Sequence, residues 1–127
     1  YCNFTLEEYA VPGLKGLNSE QQKIAEGKFI LSKVVTGERM IVLDENGASL
    51  SSEKFAEWIS KQQISGVKSI VFVVGGPFGF SEEVYKVSSA KISLSSMTFT
   101  HQMVRLFFTE QLYRAFTILK GEKYHHS

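Results

Sequence analysis

Residues 70–74, Ile-Val-Phe-Val-Val, form a short unbroken apolar run held between Ser69 and the Gly75-Gly76 pair. A run this short and continuous, rich in β-branched residues and closed by glycine, predicts a central strand covered on both faces, the pattern of a parallel sheet. Parallel strands need a crossover between them, usually a helix, so strands and helices must alternate along the chain. The rest of the sequence supplies that alternation. "RMIVLDENG" reads as a buried strand ending in acidic and turn residues, and "KISLSS" as another short strand. Between and around them lie helical patterns. One starts at Asn18 or Ser19, with Ile24, Leu31, Val34 and Val35 at near-helical spacing and Thr36-Gly37 as a stop. One is capped at Ser51 or Ser52, with Phe55, Trp58, Ile59 and Gln62 recurring at threes and fours. A short one is capped at Ser81, and a long one runs through "FTHQMVRLFFTEQLYRAFTILKG". The opening residues alternate at Cys2, Phe4 and Leu6, which predicts a short strand before the "VPGLKG" breaker cluster. The fold class expected is α/β, a parallel-rich sheet covered by helices on both faces.

At 127 residues the chain is long enough for one domain with one real core. Its charged share of 21% and formal charge of +1 leave no strong global field, which neither demands nor forbids a nucleic-acid partner. The single cysteine, Cys2, has no intrachain disulfide partner and no metal-ligand spacing, so a reducing, cytoplasmic setting is expected. No run reaches membrane-span length, so no membrane partner is expected.

In a parallel sheet ligands sit beyond the carboxyl ends of the strands. Here those ends are 43–47, 75–80 and 94–99, three loops that the fold can bring together. The glycines at 75, 76 and 79 fit neither a dinucleotide fingerprint nor a phosphate loop. They leave a tight turn in which Gly75 and Gly76 let backbone approach a ligand, Pro77 fixes the next step and Gly79 takes a positive φ. Glu82 and Glu83 at the following helix start disfavour a phosphate there and suit a neutral or cationic ligand. The adjacent pair His125-His126 lacks the spacing that puts two imidazoles on one helix face, so no metal site is expected. His101 reads as a helix-start residue, and Asp44-Glu45 as turn acids. Arg105 and Arg114 are the only arginines or lysines between Lys91 and Lys120. They either snorkel around the packed face of the long helix or contact phosphate. That helix carries more apolar surface, including Val104, Phe107, Phe108, Leu112, Ala115, Phe116 and Leu119, than one side of a small sheet needs, which argues for a subunit interface.

Taken in order, "VLDENG", "VFVVGGPFGFSEEV" and "ISLSSMTFTHQMVRLFFTEQLYRAFTILKGEKYHHS" resemble the family of the bacterial large-subunit ribosomal RNA pseudouridine N3 methyltransferases, in the SPOUT class of knotted methyltransferases. The resemblance runs over residues 1–127 as a single domain, and family members begin with about one further strand and helix, about 30 residues absent from this chain. It implies a C-terminal deep trefoil knot, which ordinary connection rules would not predict. It also implies a homodimer, S-adenosylmethionine as cofactor, and large-subunit ribosomal RNA, in the ribosomal particle, as substrate. On this resemblance the cofactor contacts are Leu43, Gly75, Leu94, Ser95, Ser96, Met97, Thr98 and Phe99, the same three strand ends. The acceptor, an imide nitrogen, must lose its proton, so a proton acceptor or an anion-stabilising group is expected: His125 for the first, Arg105 or Arg114 for the second. Tyr124 would stack on or hydrogen-bond the base. Lys15, Lys23, Lys28, Lys120 and Lys123 are available for phosphate contacts, and His126 stands where relatives often have arginine. The alternative reading is a non-catalytic knotted dimer that binds RNA or the ribosome. A nucleotide-binding domain for NAD or ATP is disfavoured by the glycine spacing.

Overall fold

The computed structural model describes residues 4–126. In chain order its elements are α1 (Ser19–Lys33), β1 (Arg39–Ser49), α2 (Ser52–Ile64), β2 (Ile70–Val74), α3 (Glu82–Val87), β3 (Ala90–Ser93) and α4 (His101–Leu119). The strands form one parallel sheet in the order β2-β1-β3, with helices around it. The expected α/β class is therefore observed.

Alternation along β1 sorts the core into two halves. Ile41 and Leu43 point to one face, packing with Phe55, Ala56 and Ile59 of α2, Ile92 of β3 and Phe108, Leu112 and Ala115 of α4. Met40 and Val42 point to the other, against Phe80 and Val84 and the α1 side chains Ile30 and Leu31. Each such side chain taken fully out of water contributes roughly 1.5–3 kcal/mol. The first half is aromatic: the Phe72 and Phe108 rings lie 4.6 Å apart, and Phe55 stacks on Trp58 at 6.1 Å.

Two expectations are corrected here. The 70–74 run is an edge strand whose residues are all half-buried, and the central strand is β1, buried at residues 40–43. Residues 4–10 form no strand, and Cys2 lies outside the described residues. The helix starts fall where the capping residues put them. Asn18 caps α1 in a full capping box with Gln21, Ser51 caps α2, Ser81 caps α3 and Thr100 caps α4, so His101 is indeed a helix-start residue. Of the apolar positions read onto α1, Ile24 is exposed and Val34 and Val35 fall beyond its end. The one buried residue of α1 is Gly27, where an added Cβ would stand 2.4 Å from Ser81 Oγ; the absent side chain lets α1 lie against the start of α3.

Candidate functional site

Leu43 is paired with Val74 on one side and Ile92 on the other, so the three strand ends leave the sheet side by side. Beyond Leu43 the β1–β3 register jumps: Leu43 and Ala48 both oppose Ile92, and residues 44–47 bulge outward. The bulge is pinned twice. The Tyr85 hydroxyl donates to Asp44 Oδ2, and Thr98 Oγ1 donates to Glu45 Oε2 at 2.6 Å, tying the 94–99 loop to the end of β1. Burial and the Asp44 carboxylate push the Tyr85 phenol up to about 12. The Gly76–Gly79 turn closes with the Gly79 N–H donating to Gly76 O at 3.2 Å, and Gly79 has φ +80°, as its position predicts.

A cleft of about 760 Å³ opens between the 94–99 loop, the start of α2 and the exposed side of α4. Leu94, Ser95 and Phe99 line it together with Leu50, Phe55, Leu106, Phe107 and Glu110. Its size is that of a nucleoside-scale site, and its lining is apolar with a few hydroxyl and peptide groups. No Lys or Arg lines it among the described residues, so its walls suit a neutral or cationic molecule.

On the rim, side chains distant in sequence close a ring. Arg114 donates to Glu110 Oε1 from Nε (3.0 Å) and Nη2 (2.5 Å), and its Nη1 lies 3.0 Å from His125 Nδ1. His125 Nε2 lies 2.9 Å from Glu53 Oε1. The ring returns through Ser52, beside Glu53: Ser52 Oγ donates to Gln111 Oε1 at 2.8 Å, and Gln111 Nε2 donates to Glu110 Oε2 at 3.1 Å. Guanidinium offers only donors, so His125 Nδ1 accepts and the proton sits on Nε2, facing the Glu53 carboxylate. The Tyr124 hydroxyl donates to Glu110 Oε1 at 3.2 Å, and its ring lies 4.8 Å under the Arg114 guanidinium. The hydrogen bond from His125 holds the Glu53 carboxyl below its usual range. The Glu110 hydrogen bond raises Arg114 further, and desolvation, with Glu110 behind it, raises the Tyr124 phenol.

Three of the four residues expected to carry chemistry, Arg114, Tyr124 and His125, thus stand together beside the cleft. Arg105 does not. Nine residues before Arg114, it lies about half a turn away around α4 and pairs with Glu8 at 2.9 Å. Of the cofactor positions, Leu94, Ser95 and Phe99 line the cleft, whereas Leu43 is buried in the core below it. Ser96, Met97 and Thr98 lie outside its lining, exposed on the loop. The face of Gly75 is taken by the Phe80 ring, 2.9 Å from where a Cβ would be. Glu53 and Glu110 were not singled out by sequence as site residues. Glu110 carried a signal, its i,i+4 spacing to Arg114; Glu53, 72 positions from His125, carried none. Among the described residues no cluster of His, Cys, Asp or Glu fits a metal, and no helix is long and apolar enough to cross a membrane.

Comparison with known proteins bears on this geometry directly. Residues 1–125 match the family model described as predicted SPOUT methyltransferase. The chain is 58% identical over 129 residues to the ribosomal RNA large subunit methyltransferase H of Christiangramia forsetii, 56% to that of Flavobacterium psychrophilum and 46% to that of Bacteroides fragilis. In each case the match covers 99% of this chain and 81% of the relative. A parallel sheet whose strand ends converge, a nucleoside-sized cleft beside them, and a family match over almost every residue lead to one conclusion: this chain belongs to the SPOUT methyltransferase family and is an enzyme of that class.

Proposed function

We propose that the chain transfers the methyl group of S-adenosylmethionine to N3 of a pseudouridine in large-subunit ribosomal RNA, working in the cytoplasm on the ribosomal particle as a knotted homodimer. One observation carries the reading: Glu110 both lines the cleft beside Leu94, Ser95 and Phe99 and holds Arg114 and Tyr124, with His125 one hydrogen bond further on. The similarity to ribosomal RNA large subunit methyltransferases supports the ribosomal RNA substrate.

S-adenosylmethionine, when bound, supplies a methyl group made electrophilic by its sulfonium. The residues present fit it: a cleft without Lys or Arg, apolar walls at Leu94 and Phe99, and peptide groups along the 94–99 loop able to read a base edge. The family resemblance adds Leu43, Gly75, Ser96, Met97 and Thr98 to the holding set, all five outside the cleft lining. With His125 neutral, the rim carries the formal charges of Glu53, Glu110 and Arg114, a net −1 that suits a cationic donor. The protein's own task is to align donor and acceptor, exclude water and deal with the acceptor's imide proton. His125 Nδ1 holds a lone pair directed at Arg114. Parting the two makes that nitrogen a proton acceptor and frees the guanidinium to face the imide anion. Tyr124 offers a ring and a hydroxyl to the base. Arg105, away from the rim, is kept for phosphate contact. The homodimer is supported by the exposed apolar residues of α4 and the loop before it, Met97, Phe99, Met103 and Leu106.

Titration calorimetry with S-adenosylmethionine and S-adenosylhomocysteine, against NAD and ATP, tests the cofactor. Micromolar binding of the first two is expected, and binding of NAD or ATP alone overturns the reading. Methyl transfer to large subunits, assembled ribosomes and protein-free RNA then tests the substrate; robust transfer to short free RNA with no gain from assembled particles would sink the ribosomal assignment. His125→Ala is expected to lose most turnover, and unchanged turnover removes it as the base.

A further inference from the structure

The hydrogen-bonded ring at the rim contains two carboxylates with different tasks. Glu110 Oε1 receives three donors, Nε and Nη2 of Arg114 and the Tyr124 hydroxyl, while its Oε2 receives Gln111. Arg114 is thereby fixed with one nitrogen, Nη1, left to meet the imidazole. Glu53, on the first turn of α2, takes the other side of the same ring. His125 follows a tail with no regular structure after α4, yet its side chain is only 17% exposed, held by these two hydrogen bonds beside the Tyr124 ring, which packs on Tyr113 at 5.0 Å. An imidazole between a pure donor and a carboxylate has one tautomer that satisfies both neighbours, Nε2–H with Nδ1 open. Removing either neighbour leaves the tautomer undefined and the end of the tail held by fewer contacts.

We propose that Glu53 and Glu110 are positioning residues of the transfer site: Glu110 sets Arg114 and Tyr124, Glu53 sets His125, and both carboxylates are needed for the tail to present one imidazole tautomer at the rim of the cleft. Neither touches the reacting atoms. The inference rests on the methyltransferase reading above for its catalytic half and on the hydrogen-bond geometry alone for its positional half.

The experiment compares Glu53→Ala and Glu110→Gln with Glu57→Gln, a surface control whose carboxylate meets only Lys54 on the same helix. Nitrogen chemical shifts of His125 read its tautomer, trypsin cleavage after Lys123 reads release of the tail, calorimetry reads S-adenosylhomocysteine affinity, and steady-state methylation of ribosomal particles reads kcat and KM. In both test variants the His125 signals are expected to move to a tautomer mixture and cleavage after Lys123 to quicken. S-adenosylhomocysteine affinity stays at the wild-type value in Glu53→Ala, whose site lies outside the cleft lining, and kcat falls by about 100-fold in both variants, the loss typical of a misplaced catalytic group. The control changes none of these, and unchanged melting temperatures show that the fold is intact. Unaltered tautomer and cleavage in the test variants overturn the positional half. A released tail with unaltered kcat overturns the catalytic half. A wild-type protein that methylates no ribosomal particle, with tautomer and cleavage still responding, sinks the functional reading and the catalytic half with it, and leaves the two carboxylates as anchors of the tail.

Discussion

At Gly47 an added Cβ would stand 2.6 Å from the carbonyl carbon of Lys91, and at Gly76 it would stand 2.3 Å from a Glu26 carboxylate oxygen. The distances are alike and the consequences are not. The Lys91 backbone belongs to β3 and cannot retreat without breaking the pairing that aligns the 94–99 loop, whereas the Glu26 carboxylate ends a flexible side chain. Glu26 Oε1 is moreover buried without a hydrogen-bond partner, so moving it forfeits no bond. Gly47→Ala is therefore expected to lower stability by about 1–3 kcal/mol, and Gly76→Ala by clearly less; chemical denaturation of both variants checks the order, and equal losses would refute it. Tyr85 gives a second test. Its folded-state pKa of about 12 lies above the ordinary 10.0, raised by burial first and by Asp44 second. Its contribution to stability is thus complete below pH 10 and is lost as pH rises toward 12. Tyrosinate absorbance is expected to show Tyr85 titrating last, near 12, after the other phenols, of which Tyr9 and Tyr124 are also raised. Tyr85→Phe should remove that late phase and flatten the fall in stability across the same window. If every phenol titrates together near its ordinary value, the Tyr85–Asp44 bond is not held in solution.

Among the elements, helices were legible wherever a capping residue preceded an apolar period, as at Ser51 with Phe55 and Ile59, because both signals are local. The rank of the strands in the sheet was not. The 70–74 run is as apolar as β1, yet only β1 is buried throughout its first half, since which strand lies in the middle depends on crossovers that no window of sequence contains. The grouping of the three strand ends was legible from the general rule for parallel sheets. The ring of Glu53, Glu110, Arg114 and His125 was half legible: Glu110–Arg114 by spacing, and the Glu53–His125 contact only once the tail is seen folded back. In α1 the local and tertiary signals part company. The only buried residue of this helix is Gly27, so its start leans more than most on its cap, where Asn18 Oδ1 accepts from Gln21 N at 2.8 Å and Gln21 Oε1 from Asn18 N at 3.1 Å. Asn18→Ala is expected to remove the side-chain end of this capping box, leaving the backbone N–H of residue 18 to donate to Gln21 Oε1, and to cost about 1 kcal/mol, seen as a fall in melting temperature of roughly 3–6 °C. Gln21→Ala, which spares the Asn18 side-chain bond, should lose less. An unchanged melting temperature for Asn18→Ala would show that packing of Ile30 and Leu31 alone holds the helix.

For the molecule as a whole, α4 presents two stripes of opposite fate. Phe108, Leu112 and Ala115 are buried against the sheet and α2, while Met103, Leu106, Glu110 and Tyr113, spaced by three, four and three, form the outer side. Leu106 is 60% exposed, and Met97, in the loop before the helix, is 71% exposed. A helix of 19 residues is roughly 28 Å long, enough to serve as the spine of an interface of the usual size, about 800 Å² on each subunit. Because Glu110 lies within the outer stripe and Leu106 and Phe107 line the cleft, a second copy seated there would wall the cleft and shield the rim from water. Light scattering on the purified protein is expected to give twice the 14.3 kDa of one chain. Leu106→Glu places a charge at the centre of the stripe, and burying it unpaired is unfavourable enough to return the mass to that of one chain. Since Leu106 supports no core contact, the variant should keep the circular dichroism of the parent while its S-adenosylhomocysteine affinity falls with the lost wall. A wild-type protein that runs as a single chain, or a Leu106→Glu variant that stays dimeric, would place the subunit contact elsewhere and leave the outer face of α4 for RNA or ribosomal protein to cover.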